Sequence, residues 1–151
     1  IVKRRLGKKD DMPDVYCVIR LNSSKEGCPK DNPNRSHWQT ATIKDDTMPN
    51  WNESRDFANI DPVRDIIRVD AYEENRKGKD DYLGSAEFSV ELLLRKRVME
   101  LELHAKSSPT NSFVTLRCVE VEAAADDGDH RLRQRIYATA GRFAGQSHGQ
   151  L

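Results

Sequence analysis

The sequence predicts an all-β fold, an eight-stranded antiparallel β-sandwich with a C-terminal extension that is partly helical. Short stretches of alternating apolar and polar residues recur along the chain, and turn-rich segments separate them. Helical periodicity is scarce before residue 129. This combination is typical of a sandwich built from short strands, and 151 residues are enough to bury the core of one domain.

Period-2 alternation identifies the individual strands, because it places every second side chain on the same face. Cys17, Ile19 and Leu21 share one face of a strand at residues 16–21. The other strands are predicted, in chain order, at residues 1–6, 38–44, 53–57, 66–69, 83–88, 99–103 and 113–121. A short helical turn is predicted at residues 91–95. We expect a core that includes Trp51, Phe57, Ile67, Val69, Leu101 and Leu103.

The composition changes after Val121, where three alanines lead into an acidic run and then a basic run. We place the domain boundary there, with the sandwich at residues 1–122 and a charged tail at residues 123–151. Leu132, Ile136 and Phe143 recur in the tail at near-helical spacing, behind an acidic first turn that suits the helix dipole. The tail is therefore predicted to form a short amphipathic helix outside the sandwich, which binds a partner.

The bulk charge excludes a general affinity for nucleic acid. The chain holds 25 Lys plus Arg against 25 Asp plus Glu, so no net field steers it toward a polyanion. The basic residues near the N-terminus lack the interleaved aromatic residues that stack on bases. Mean hydropathy is -0.80, and no run approaches the roughly 18 apolar residues of a membrane-spanning helix.

The sequence also lacks the patterns of an enzyme. No nucleophile elbow, HExxH, P-loop or dinucleotide-binding glycine motif occurs, so we expect neither catalysis nor a small-molecule substrate. Cys17, Cys28 and Cys118 are widely spaced and form no CxxC pair, which favours a reducing, cytoplasmic location. Because the chain begins at Ile1 without an initiator methionine, we expect it to be a piece of a longer protein.

The most specific motif occupies residues 40–57. It reads T-A-T-I-K-D-D-T-M-P-N-W-N-E-S-R-D-F and closely resembles the signature of C2 domains. The run D-V-Y-C-V-I-R-L from Asp14 and the run D-D-Y-L-G from Asp80 resemble two further segments of that family, in the expected order. The resemblance covers residues 6–121.

The resemblance implies a function at one end of the sandwich, where loops bring carboxylates together to hold calcium against anionic phospholipid. Asp10 and Asp14 in one acidic segment, and Asp70 and Asp81 in another, match ligand positions of the family. Calcium takes 6 to 8 oxygen ligands, so several carboxylates must converge.

Two departures from the family pattern affect the second acidic segment. The next acidic position, two residues after Asp70, is Tyr72, which leaves Glu73 as the substitute ligand. Counted from Asp70, the segment up to Asp81 is also about three residues longer than is usual in the family. We therefore expect calcium binding to be weak or absent.

Membrane contact does not require calcium, because Lys and Arg side chains are attracted to an anionic leaflet. Arg76, Lys77 and Lys79 provide this charge, and Met12 provides an apolar contact. Two functions therefore stay open: peripheral targeting to anionic phospholipid, or calcium-independent interaction with another protein through lapsed ligand loops and the tail.

Overall fold

The computed structural model describes residues 12–23, 37–57, 60–121 and 133–144. Within these ranges the chain forms eight strands and one short helix. The elements are β1 (Val15–Ser23), β2 (His37–Gln39), β3 (Asn50–Phe57), β4 (Asp65–Glu73), β5 (Asp81–Ser89), α1 (Val90–Lys96), β6 (Val98–Ala105), β7 (Ser108–Val121) and β8 (Arg133–Arg142). All paired strands are antiparallel, which confirms the predicted fold class.

The strands follow the order β2-β1-β4-β5-β6-β7-β8-β3, and the sheet folds back on itself. Strands β5 and β6 share one registered pair, Ser85 with His104, so the two halves separate there into facing layers. The edge strands β2 and β3 also approach each other. The Ala41 N–H donates to a Glu53 carboxylate oxygen at 2.8 Å, and the Arg55 guanidinium donates to the His37 carbonyl at 3.4 Å. The sandwich is therefore nearly closed on both sides.

The core lies between the two layers and follows the alternation of the sequence. On β1, Val15, Cys17, Ile19 and Leu21 are all at most 2% exposed. The six residues predicted as core are buried as well: Trp51, Phe57, Ile67, Val69, Leu101 and Leu103. Burying large apolar side chains in this way is the main favourable contribution to folding.

Helix α1 contains the helical turn that was predicted at residues 91–95. The Ser89 hydroxyl caps it by accepting from the Leu92 N–H, and the helix ends at Lys96, followed by the C-cap residue Arg97, whose φ is 70°. Val90 and Leu93 bury its inner face. In the described part of the chain, no helix has the length and apolar character needed to cross a membrane.

The tail prediction is wrong for the residues that the structure describes. Residues 133–142 form β8, which pairs with β7 on one side and β3 on the other. Gln134, Ile136 and Ala138 point inward with the period of a strand, and Phe143 is buried just beyond it. Leu132 lies outside the described residues. Ile136 and Phe143 are therefore core residues and are not available to a partner.

Close packing fixes β8 to the body of the sandwich. The Trp51 and Phe143 rings meet edge to face with centroids 6.4 Å apart. A Cβ on Gly141 would lie 2.5 Å from the Phe143 ring and 2.9 Å from the Trp51 ring, so only glycine fits between them. The eight strands of the described residues include β8, which was not predicted. The strand that was predicted at residues 1–6 lies outside the described residues.

Candidate functional site

Three loops meet at one end of the sandwich, and we call this region the loop end. They are the first loop (residues 12–14), the second loop (residues 40–49) and the third loop (residues 74–80). Asp14 joins them, because its carbonyl accepts from the Glu74 N–H at 2.8 Å and its carboxylate accepts from the Asp45 N–H at 2.7 Å. The Asp46 N–H also donates to the Pro13 carbonyl at 3.0 Å. These bonds hold the three loops together.

Asp14, Glu73 and Asp81 form a group of carboxylates at this end. Glu73 is the last residue of β4, and it lies opposite Asp81 on β5 and Val15 on β1. Burial raises the pKa of the Glu73 carboxyl, and the negative charges of Asp81 and Asp14 raise it further. The structure thus brings together three of the five carboxylates that the sequence singled out, while Asp10 lies outside the described residues.

Asp70 lies within β4 and not in the loop, so the predicted position of Asp70 after the end of this strand is wrong. Strand β4 continues through Glu73, so Asp70 is three residues inside the strand, roughly 10 Å from its end at ~3.3 Å per residue. Its carboxylate is 4% exposed and accepts from Arg20 at 2.9 Å, from Arg68 at 3.0 Å and from the Tyr82 hydroxyl at 3.2 Å. The role of Asp70 is to hold this outer sheet face together.

The longer β4 also moves, by three residues, the positions that correspond to the acidic pattern of the family. Glu73 becomes the first acidic position of the third loop, and the position two residues later is Asn75 rather than Tyr72. The segment from Glu73 to Asp81 then has the usual length, since the excess of about three residues existed only when the count began at Asp70. Asn75 is a candidate position that the sequence interpretation missed. The sequence signal for it was Ala71, which continues the apolar alternation of Ile67 and Val69 beyond Asp70.

Asp80 fixes the third loop instead of facing the other carboxylates. One oxygen of Asp80 accepts from the Tyr16 hydroxyl at 2.6 Å, and the other accepts from the Asn75 N–H at 3.0 Å. These two bonds lower the pKa of Asp80, whereas burial and the bond to Asp80 raise the pKa of Tyr16 to about 12. Tyr72 stacks on Tyr16 with ring centroids 5.4 Å apart. The loop is thereby clamped to β1.

The residues proposed for membrane contact are exposed at the same end. Met12 is 38% exposed, and Arg76, Lys77 and Lys79 are exposed on the third loop. Met48 on the second loop is 62% exposed, which the sequence interpretation had not considered.

Carboxylates outnumber cations at the loop end. In the three loops and at the strand ends Glu73 and Asp81 beside them, seven described acidic side chains compare with four basic ones, which leaves three negative charges in excess: Asp14, Asp45, Asp46, Glu73, Glu74, Asp80 and Asp81 against Lys44, Arg76, Lys77 and Lys79. In the described ranges, no three Asp, Glu, His or Cys side chains lie close enough together to hold a metal ion. A cation would therefore have to draw the carboxylates of Asp14, Glu73 and Asp81 closer together in order to bind all three.

Comparison with known proteins identifies the family. A sequence model of the C2 domain matches residues 2–105, more than half of the chain. The chain belongs to the C2 domain family. Extended synaptotagmin-3 of Xenopus tropicalis is 26% identical to this C2 domain over 99 residues, which are 66% of the chain and 10% of that protein. The chain thus spans about a tenth of the length of this relative.

Two solved structures are similar to this C2 domain. A C2 domain of plant extended synaptotagmin 1 has a TM-score of 0.42 and 14% identity, with 88% of this chain and 79% of that chain covered. Human GIVD cytosolic phospholipase A2, in complex with methyl gamma-linolenyl fluorophosphonate, has a TM-score of 0.47 and 11% identity. That match covers 89% of this chain and 30% of the phospholipase chain.

We expect Glu73→Gln to stabilise this C2 domain at neutral pH. Glu73 and Asp81 are directly opposed across two strands, and like charges in that arrangement cost about 0.5 kcal/mol. Because the pKa of Glu73 is raised on folding, its favourable contribution is present below its ordinary pKa and is lost as the pH rises through the folded-state value. The gain in thermal midpoint should thus be present at pH 7 and vanish near pH 4.

Thermal unfolding of both proteins across this pH range measures the effect. Glu74→Gln is the matched control, since the Glu74 side chain does not face Asp81 across the strands. A Glu73→Gln midpoint at or below that of the unchanged protein at pH 7 would contradict the repulsion.

Proposed function

We propose that this C2 domain is a binding module for peripheral membrane targeting in the cytoplasm, which docks its loop end on anionic phospholipid with weak dependence on calcium. The observation that carries the proposal is the gathering of Asp14, Glu73 and Asp81 beside exposed Met12 and the cations of the third loop. Each Lys or Arg close to an anionic leaflet contributes roughly 1 kcal/mol. The excess of carboxylates opposes this attraction, and a bound cation would remove the opposition.

The proposed calcium ligands are the carboxylates of Asp14, Glu73 and Asp81, with Asp10 as a further candidate. Asn75 would add a neutral amide oxygen in place of a charged ligand. Asp70 is no longer included, because its oxygens already accept from two arginines and a tyrosine. Drawing the carboxylates together increases the repulsion between them, and the proposed ligands carry few negative charges to attract calcium. We therefore expect a dissociation constant toward the ~10⁻⁴ M end of the range for calcium sites.

Calcium titration with and without vesicles of phosphatidylcholine and phosphatidylserine tests the proposal. Wild type should bind the mixed vesicles, and calcium should increase the bound fraction. Asp81→Asn should weaken calcium binding about tenfold, because it removes one negative charge from the ligands and calcium affinity depends on their charge count. Glu87→Gln is the control, because Glu87 lies on β5 beside Arg68 and away from the loop end.

Three results would count against parts of the proposal. Equal binding to vesicles of phosphatidylcholine alone would exclude anionic recognition. Unchanged calcium binding by Asp81→Asn would exclude the proposed ligand set. Submicromolar calcium binding by the unchanged protein would contradict weak dependence and would indicate a calcium-triggered switch.

A second candidate function, interaction with another protein, has one structural observation in its favour. Tyr16, Tyr72 and Tyr82 form a row on the outer face of β1, β4 and β5, with Arg20 and Arg68 beside them. Tyrosine and arginine are enriched at protein interfaces. If this face is the functional one, the unchanged protein should bind its protein partner and should not bind vesicles. Tyr82→Ser should then abolish binding to the protein partner. The tail no longer supports this candidate, since Ile136 and Phe143 are buried.

A further inference from the structure

The second loop presents an apolar side chain to solvent on a fixed backbone. Met48 is 62% exposed, and its N–H donates to an Asp46 carboxylate oxygen at 2.8 Å. On its other side, the carbonyls of Thr47 and Pro49 accept from the N–H groups of Phe143 and Gly141 at 2.8 and 2.9 Å. The end of β8 thus holds the backbone on both sides of Met48, and the side chain is kept outward.

A second exposed methionine lies on the adjoining loop. The Asp46 N–H donates to the Pro13 carbonyl at 3.0 Å, which joins the loop that carries Met48 to the loop that carries Met12. A single exposed apolar residue is ordinary on a protein surface, but two on joined loops form an apolar surface, and exposed Arg76, Lys77 and Lys79 lie at the same end. The apolar side chains and these three cations suit an anionic bilayer interface, whereas the carboxylates at this end oppose it.

We propose that Met48 inserts into the membrane interface together with Met12, so that the second loop docks as well as the first and third. This inference rests on the proposed membrane function and adds a residue to it. Methionine is unbranched and flexible, which suits an irregular lipid environment. Because negative charge is in excess at the loop end, apolar insertion supplies attraction that does not depend on charge.

The response of membrane binding to salt distinguishes apolar insertion of Met48 from electrostatic attraction of the third-loop cations. At about 1 M salt the Debye length is about 3 Å, so the attraction between the third-loop cations and the lipid is largely screened. Insertion of methionine is not screened, because the hydrophobic effect does not depend on charge. The contribution of Met48 should therefore persist at high salt, whereas that of Arg76, Lys77 and Lys79 should disappear.

The test compares Met48→Asp with Val63→Asp in the full chain. Val63 is more exposed, at 78%, but it precedes β4 at the opposite end of the sandwich from Glu73. Binding to vesicles of phosphatidylcholine and phosphatidylserine is measured by cosedimentation with calcium, at low and at high salt. We expect Met48→Asp to lower the partition coefficient about tenfold at high salt, where the new charge is screened and only the apolar contact is lost. At low salt the loss should be larger, because the anionic lipid also repels the carboxylate, and Val63→Asp should leave the partition coefficient unchanged. Thermal unfolding confirms that both variants are folded.

A second measurement does not depend on loss of binding. Lipids brominated near the headgroup should quench the tryptophan fluorescence of Met48→Trp more than the background from Trp38 and Trp51. The added tryptophan of Val63→Trp should not be quenched. If wild type binds but Met48→Asp binds equally well, or Met48→Trp is not quenched, the inference is overturned and the proposed function stands. If wild type binds no vesicles, both are overturned.

Discussion

Truncation after Val121 is expected to abolish folding. The truncated chain lacks β8, so Ile136 and Phe143 no longer fill the core, β3 loses the strand it pairs with, and β7 keeps only β6. Removing one buried isoleucine costs about 2 to 5 kcal/mol and one phenylalanine about 3 to 5 kcal/mol. Their sum is comparable to the whole stability of a typical domain, which is about 5 to 15 kcal/mol.

Circular dichroism and thermal unfolding measure this effect, with truncation after Ala144 as the control. The longer truncated chain keeps β8 and Phe143 and should unfold like the full chain. Ile136→Asp in the full chain tests the same contact without a new terminus, because it places an unpaired charge in the core. A cooperative transition at the original midpoint after truncation at Val121 would show that β8 is not part of the core.

The sandwich could be predicted because burial on one face leaves a period of two in the sequence. Cys17, Ile19 and Leu21 carry this signal clearly, and so do Leu101 and Leu103. Strand β8 carries the same signal in an ambiguous form. Leu132 and Ile136 are four residues apart, and this spacing fits one face of a helix and also one face of a strand. Pairing with β3 on one side and with β7 on the other decided for the strand, and that information lies elsewhere in the chain.

The loop end was predicted in part for a similar reason. Asp14 and Asp81 occupy the positions that the sequence motifs indicated, because each borders a strand whose start was clear. The end of β4 was not clear, since a charged residue at position 70 ordinarily indicates a loop. Asp70 remains in the strand because Arg20 and Arg68 neutralise it, and Arg20 is 50 residues away in the sequence. Such a long-range partner cannot be identified from local pattern.

The corrected position of Asp70 leads to the expectation that Asp70→Asn destabilises the fold without changing calcium binding. The asparagine keeps the shape of the side chain but leaves two arginines without their common carboxylate. Removing one member of a buried ion pair costs about 3 to 5 kcal/mol. Because Arg20 and Arg68 are 34% and 38% exposed and retain some hydration, we expect a smaller loss of about 2 to 3 kcal/mol.

Asp81→Asn should weaken calcium binding without destabilising the fold, since Asp81 is exposed and faces Glu73 across the strands. Chemical denaturation gives the stability of each variant, and calcium titration at a temperature where both are folded gives the affinity. Asp56→Asn is a further control for the loss of an arginine partner, because Asp56 pairs with Arg135 at 2.7 Å on the opposite layer and both side chains are more than a third exposed. If Asp70→Asn weakened calcium binding as much as Asp81→Asn while the fold kept its stability, Asp70 would be a ligand after all, and β4 would have to end before it.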